Sequence, residues 1–188
     1  MSRGGIVIAV AVVVAAVAAG MPAEAGASGG SSRDLVVHLD RIADLPALEA
    51  RLLAEINVLR KEQGLAPLRP CAGLAAAAHE QSTSMAEHGF FGHESPGGSP
   101  FWKRVESKYA KLTDDGSWRV GENLVWGSPG LNAGQALDVW MASPPHRKNL
   151  LTRTWREIGI SAVHASAAPG VYAGQDVTIL TVDFGVRH

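Results

Sequence analysis

Only one cysteine, Cys71, stands among the 188 residues. An internal disulfide is therefore excluded, and the fold must hold by packing alone. Cys71 itself reads as a small, half-buried residue in a turn. The chain also lacks an apolar run of the about 20 residues that a membrane-spanning helix needs. It lacks charge of one sign: the formal net charge is −1, so no global field points to nucleic acid or to an anionic membrane. The zincin motif is missing, because His93-Glu94 is followed by Ser95-Pro96 and not by a second histidine at the required spacing. A formal G-x-S-x-G match at Gly26-Ala27-Ser28-Gly29-Gly30 lies in a glycine- and serine-rich stretch. With no strand before it and no helix after it, it is not a nucleophile elbow. No internal repeat is visible.

What is present starts with an export signal. Arg3 supplies positive charge, residues 6–19 are uninterruptedly apolar, and Ala23-Glu24-Ala25 is an A-x-A cleavage site. That order is the order of a secretory signal peptide, predicted over 1–25, with an uncleaved anchor as the alternative. Residues 26–45 read as a linker and N-terminal extension. The remainder, 46–188, is long enough for one domain with its own core.

Along that domain the pattern predicts four helices and a late hairpin. Leu48, Leu52, Ile56 and Leu59 give one apolar face to a helix over 46–63, with Pro46 near its start and Gly64 just past its end. A second helix spans 72–87, with Leu74, Ala77, Ala78, Gln81 and Met85 inward. His79 and His88 on it read as surface or packing residues. A third spans 100–109, with Ser99 as N-cap and Phe101 and Val105 inward. A fourth spans 132–142 and ends at Ser143-Pro144-Pro145. Residues 114–116 form a turn, 118–126 an extended stretch, and 157–165 and 176–185 the two strands of a hairpin. Helices first and strands last predict an α+β fold.

Three residues stand out chemically. His93 follows Phe90-Phe91-Gly92, Glu122 sits between Gly121 and Asn123 among apolar residues, and His146 follows the double proline. A buried carboxylate requires a partner or a raised pKa. Two imidazoles and a carboxylate would suit Zn²⁺ with an open position, or would form a hydrogen-bonded cluster. Asn57 and Arg60 share a helix face, and Arg60 is expected to anchor a loop by hydrogen bonds. Asp183 is assigned no role.

Several motifs in order resemble a bacterial CAP domain, the superfamily of cysteine-rich secretory proteins, antigen 5 and plant pathogenesis-related proteins, also called the SCP domain. They are Ile56-Asn57-Val58-Leu59-Arg60, Gly64-Leu65-Ala66-Pro67-Leu68, the 85–93 segment, Gly121-Glu122-Asn123, Trp140-Met141 with Ser143-Pro144, His146-Arg147 with Asn149-Leu150, Glu157-Ile158-Gly159 and Asp183-Phe184-Gly185. The resemblance implies an α-β-α sandwich, a small antiparallel sheet between helices, with an open cleft. It places His93, Glu122 and His146 in that cleft, as ligand-binding and metal residues, with Ser143 where fuller members carry a second acid.

The resemblance favours a secreted or cell-envelope binding module for a divalent metal, with Zn²⁺ the first choice, or for a small apolar, lipid, sterol or envelope ligand. Phe90, Phe91, Phe101, Trp102 and Trp126 are aromatics available near the cleft. No nucleic-acid partner is expected, and no integral membrane association after signal cleavage. Two alternatives stay open. One is a metal-assisted hydrolase of peptides or cell wall, with Glu122 as ligand or base; the missing nucleophile motif and the missing second acid lean against catalysis. The other is an anionic surface or polymer binder, using Arg147, Lys148, Arg153 and Arg156, and a second cluster of Lys103, Arg104, Lys108 and Lys111.

Overall fold

The computed structural model describes residues 42–109 and 117–188. The signal peptide, the linker up to residue 41, the 114–116 turn and Lys111 lie outside the described residues. In chain order the elements are β1 (Ile42–Asp44), α1 (Pro46–Glu62), β2 (Arg69–Pro70), α2 (Ala72–His88), α3 (Phe101–Tyr109), β3 (Trp118–Gly127), α4 (Ala133–Ala142), α5 (Pro144–Leu150), β4 (Glu157–Ala168) and β5 (Gln175–Arg187). A short 3-10 turn, Gly170–Tyr172, closes the β4–β5 hairpin.

The sheet runs β1-β4-β5-β3, antiparallel throughout, with β2 pairing in parallel to the start of β4. Strand alternation gives it two apolar faces. One carries Val125, Leu180, Val182, Phe184, Ile158 and Ala162 against α1, α4 and α5. The other meets α2 and α3 through two separate apolar clusters, one around Met85 and Ile179, the other around Leu74 and Val105. This is the α-β-α sandwich, and it is α+β. Between those two clusters lies a row of polar residues, and the candidate site grows from it.

The first helix begins as expected, at Pro46, whose missing N–H costs nothing at a helix start. Arg60 on it is fully buried and donates to the carbonyls of Ala66, Leu150 and Thr152. Asn57 exchanges hydrogen bonds with the backbone of Leu68, at 3.1 and 2.8 Å. Both are loop anchors. Asn132 caps α4 through a reciprocal capping box with Gln135.

Two features differ from the sequence expectation. β1 lies inside the stretch read as linker and extension, and pairs Ile42 to Asp44 with β4. The double proline does more than stop α4: Pro144 and Pro145 occupy the first turn of a new helix, α5, so His146 is a helical residue and not a residue of an open bend. Proline's fixed φ is pre-set for a first turn, where its lost donor would have had no partner.

β3 is the edge strand, and its outward carbonyls are covered by side chains from the α4–α5 corner. Trp140 Nε1 donates to Leu124 O at 2.9 Å and Asn149 Nδ2 to Glu122 O at 3.0 Å. Unpaired edge groups would otherwise invite foreign strands. The same bonds fix α5, and with it His146, beside the Gly-Glu-Asn segment.

Candidate functional site

Glu122 is the centre of the site. Alternation along β3 sends its side chain to the α2–α3 face, where none of it reaches solvent. One carboxylate oxygen, Oε1, meets His93 Nδ1 at 2.8 Å. The other, Oε2, is held by Arg104 Nη2 in an ion pair buried on both sides. A buried carboxylate with each oxygen paired avoids the desolvation penalty of a lone charge.

His93 reaches Glu122 because its loop is pinned from below. Gln81 Nε2 donates to Gly92 O at 2.5 Å, and the His93 ring lies 6.3 Å from that of Phe101. With Nδ1 committed to Glu122, the second ring nitrogen, Nε2, is the one left to meet a ligand. The His93 side chain keeps 16% of its surface open.

Arg104 organises the rest. Its Nε donates to Ala77 O at 3.2 Å, and its Nη1 to Gln81 Oε1 at 2.6 Å, Ser95 Oγ at 3.2 Å and His93 O at 3.4 Å. A planar fork held at this many points cannot swing away. Arg104 belongs to the second cluster offered above for an anionic surface or polymer; the structure takes it out of that cluster, since only 5% of the residue is exposed. The readable signal was its place on the inward arc of α3, three residues after Phe101 and next to Val105. Lys108 of the same cluster is paired with Glu80 at 2.8 Å.

Across the ladder from Glu122 stands Asp183. It is fully buried, and no donor reaches either of its carboxylate oxygens among the described residues. Burial, and then the like charge of Glu122, push its pKa well above the usual carboxylate range, against a weaker opposing pull from Arg104. The neutral acid, which can donate to Glu122, is the favoured form. The strand pattern placed Asp183 on the same face as Ile179 and Thr181, but no sequence signal said that a second carboxyl waited there.

His146 sits in the first turn of α5, buried, and its carbonyl accepts from Asn123 Nδ2 at 3.1 Å. Its Nδ1 is buried with no partner among the described residues. Burial, and then the neighbouring His93, lower its pKa to about 4, so the ring is neutral at pH 7. Because the folded value lies below the unfolded one, protons bind the unfolded chain more readily in between. Stability from this group is complete above about pH 6.5 and is lost as pH falls toward 4, by up to about 3 kcal/mol. Urea midpoints of wild type and His146→Gln across pH 4.5–7.5 check this: the variant should show the flatter slope, and parallel slopes would refute it.

The structure thus joins His93 to Glu122 directly and sets His146 near enough for His93 to act on it. Ser143 is half-buried at the α4–α5 junction, and its side chain makes no capping hydrogen bond. His79 and His88 are exposed on α2. Phe101 and Trp126 are core residues, while Phe90, Phe91 and Trp102 are half-buried.

With Glu122 as an oxygen ligand, these residues do not make a divalent-metal set. Glu122 has both oxygens committed, His93 has turned Nδ1 to that carboxylate, and a fixed guanidinium stands in contact with it. Among the described residues no three histidine, cysteine or acidic side chains converge into a metal-binding group.

Comparison with known proteins gives a consistent result. Residues 53–184 match the CAP family, described as the cysteine-rich secretory protein family. An uncharacterised Bacillus subtilis protein, YkwD, is 29% identical over 126 residues, which is 66% of this chain and 46% of YkwD. The chain therefore spans less than half the length of that curated relative. Among solved structures, an outer surface protein of Borrelia burgdorferi superposes with a TM-score of 0.61 at 22% identity, covering 78% of this chain and 98% of that one. An extracellular SCP-domain protein of Bacillus anthracis gives a TM-score of 0.54 at 22% identity, over 84% of this chain and 44% of that one.

Proposed function

Because the chain belongs to the CAP, or cysteine-rich secretory protein, family, we propose that it is an exported binding module whose cleft takes a small ligand combining a hydroxyl with an apolar body, as in a lipid, a sterol or an envelope component. One observation carries this reading: both Glu122 oxygens are used inside the protein, by His93 and Arg104. Glu122, whose side chain is shut off from solvent, therefore orients the imidazole and does not itself meet a ligand. On this reading the ligand meets His93 Nε2 and the neutral His146, a pair suited to a hydroxyl that both donates and accepts. The half-buried Phe90, Phe91 and Trp102 supply nearby apolar surface. The same commitment of Glu122 argues against the hydrolase alternative, which needs that carboxylate as ligand or base.

Export follows from the 1–25 segment, and the relatives described as extracellular or outer-surface proteins support it. No helix among the described residues is long and apolar enough to cross a membrane.

Titration of the ¹⁵N-labelled protein with cholesteryl sulfate and with lysophosphatidylglycerol tests the reading. The ring resonances of His93 and His146 should move on binding, and His93→Gln should weaken the affinity about tenfold, the worth of one hydrogen bond. Unmoved rings with both probes reject this cleft as the ligand site.

A second reading keeps one observation in its favour. Arg147, Lys148, Arg153 and Arg156 are exposed, and none is ion-paired among the described residues. Binding of an anionic polymer there would collapse between low and high salt.

A further inference from the structure

We propose that the outer side of α5, the loop after it and the two strand ends beside that loop form a docking strip for a repeating phosphodiester, a polyol-phosphate chain of the cell envelope. The inference rests on the second reading above, which it extends with Arg69 and Arg119 and narrows from any polyanion to one chemistry.

Placement carries it. Arg147 and Lys148 lie on the exposed side of α5, whose other side buries His146, Asn149 and Leu150. Arg153 and Arg156 follow, exposed, in the loop that leads into β4. Arg69 N donates to Arg156 O at 3.0 Å, so β2 sets another exposed arginine beside that loop. Arg119 comes from β3, its guanidinium 5.8 Å from the centre of the Trp155 ring. None of these cations is ion-paired among the described residues. The adjoining acid, Glu157, is already spent, with Tyr109 and Arg187 on its oxygens. In a chain of net charge −1, positive charge is therefore gathered on this face and balanced elsewhere.

The frame beneath the cations is fixed. Buried Arg60 holds the loop through Leu150 O and Thr152 O. Trp155 is 3% exposed and stacks on Phe184 with ring centres 6.4 Å apart. The Arg156 guanidinium is folded onto Arg153 O and Trp155 O, both at 2.8 Å. Cations on such a frame lose less freedom when an anion arrives. Burial, and then the charge of Arg156, lower the Arg60 pKa, so the field of the strip is felt inside the domain.

Chemistry narrows the partner. All but Lys148 are arginines, whose planar forks match phosphate oxygens in pairs. Cations spread over a helix, a loop and two strands fit an anion that repeats along a chain. Trp155 lies buried under Arg119 and offers no platform for stacking a nucleobase. The exposed large apolar side chains among the described residues, Val58 and Val171, are outside the strip, which leaves it nothing to insert into a membrane.

The experiment is calorimetry of the full chain with lipid-free poly(glycerol phosphate). Affinity should fall about 100-fold between about 50 and 200 mM salt, the scale for some six neutralised phosphates. The triple variant Arg147→Gln, Lys148→Gln, Arg153→Gln should bind at least about tenfold more weakly at the lower salt. Its melting temperature should not drop, because these side chains make no hydrogen bond or ion pair among the described residues. Equal affinity for polyglutamate would refute the phosphate assignment while leaving the anionic face standing. Tighter binding of a DNA duplex, or of phosphatidylglycerol vesicles, would refute the polyol-phosphate chain. Binding of none of these probes, or binding that the triple variant keeps, would reject the strip and the second reading together.

Discussion

Arg104→Ala should be among the most damaging single changes in the domain, costing about 3–5 kcal/mol in urea denaturation. A domain of this size has about 5–15 kcal/mol to lose, so the variant should sit near the edge of folding. The loss has little to do with the strength of one salt bridge. Arg104 is 2% exposed in its side chain and Glu122 not at all, so the truncation leaves a carboxylate buried beside another carboxyl, with its charged partner gone and the His93 hydrogen bond remaining. It also strips a donor from Ala77 O, Gln81 Oε1 and Ser95 Oγ. One signature distinguishes this account from simple loss of packing. Arg104→Ala combined with Glu122→Gln should cost clearly less than the sum of the two single changes, because the second change removes the charge that the first exposes. Additive losses, or a deficit below about 1 kcal/mol, would show that the guanidinium is not what holds this centre.

The same residue shows where the sequence could be read and where it could not. Helix periodicity located α1, α2 and α4 almost to the residue, because each buries a stripe long enough to repeat: Leu52 and Ile56, Leu74 and Met85, Ala136 and Trp140. The terminal hairpin followed from alternation over two long strands. β1 and β2 escaped, since three and two residues are too short to show any period. α5 escaped because two prolines look the same before a turn as they do in the first turn of a helix. At the site, His93 and Glu122 are 29 residues apart and meet at 2.8 Å; spacing alone carried no trace of that meeting, and the family resemblance did. Arg104 was counted by its charge when its position on α3 was the better guide. Asp183 was visible only as an acid in an apolar alternation. What makes it chemically distinct, a second carboxyl across the ladder, is a product of strand register.

Gly159→Ala should be the other severe change, although it adds only a methyl group. A Cβ built on Gly159 would lie 2.1 Å from Ala75 N and from the Leu74 carbonyl carbon, and 2.5 Å from Leu74 O. These are backbone atoms of α2, so no side-chain rotation relieves the clash, and the helix itself must lift from β4. Overpacking of a well-filled core costs typically 1–3 kcal/mol, and a clash with backbone belongs at the top of that range, about 3 kcal/mol. The damage should reach the site as well. Gly159 pairs with Asp183, which pairs with Glu122, so the three form one row under α2. α2 carries the Ala77 and Gln81 groups that hold Arg104, and its end leads into the loop of His93. Lifting it should loosen Arg104 and shift the His93 ring resonances together with the urea midpoint. Gly92→Ala is the contrast: that glycine neighbours His93 in sequence, but a Cβ there meets nothing within 4 Å, and its midpoint should stay within about 0.5 kcal/mol of wild type, as surface changes usually do. If Gly159→Ala also stayed within about 1 kcal/mol, α2 would be free to slide on the sheet, and the tight seating of helix on strand would not be what positions His93 and Arg104 over Glu122.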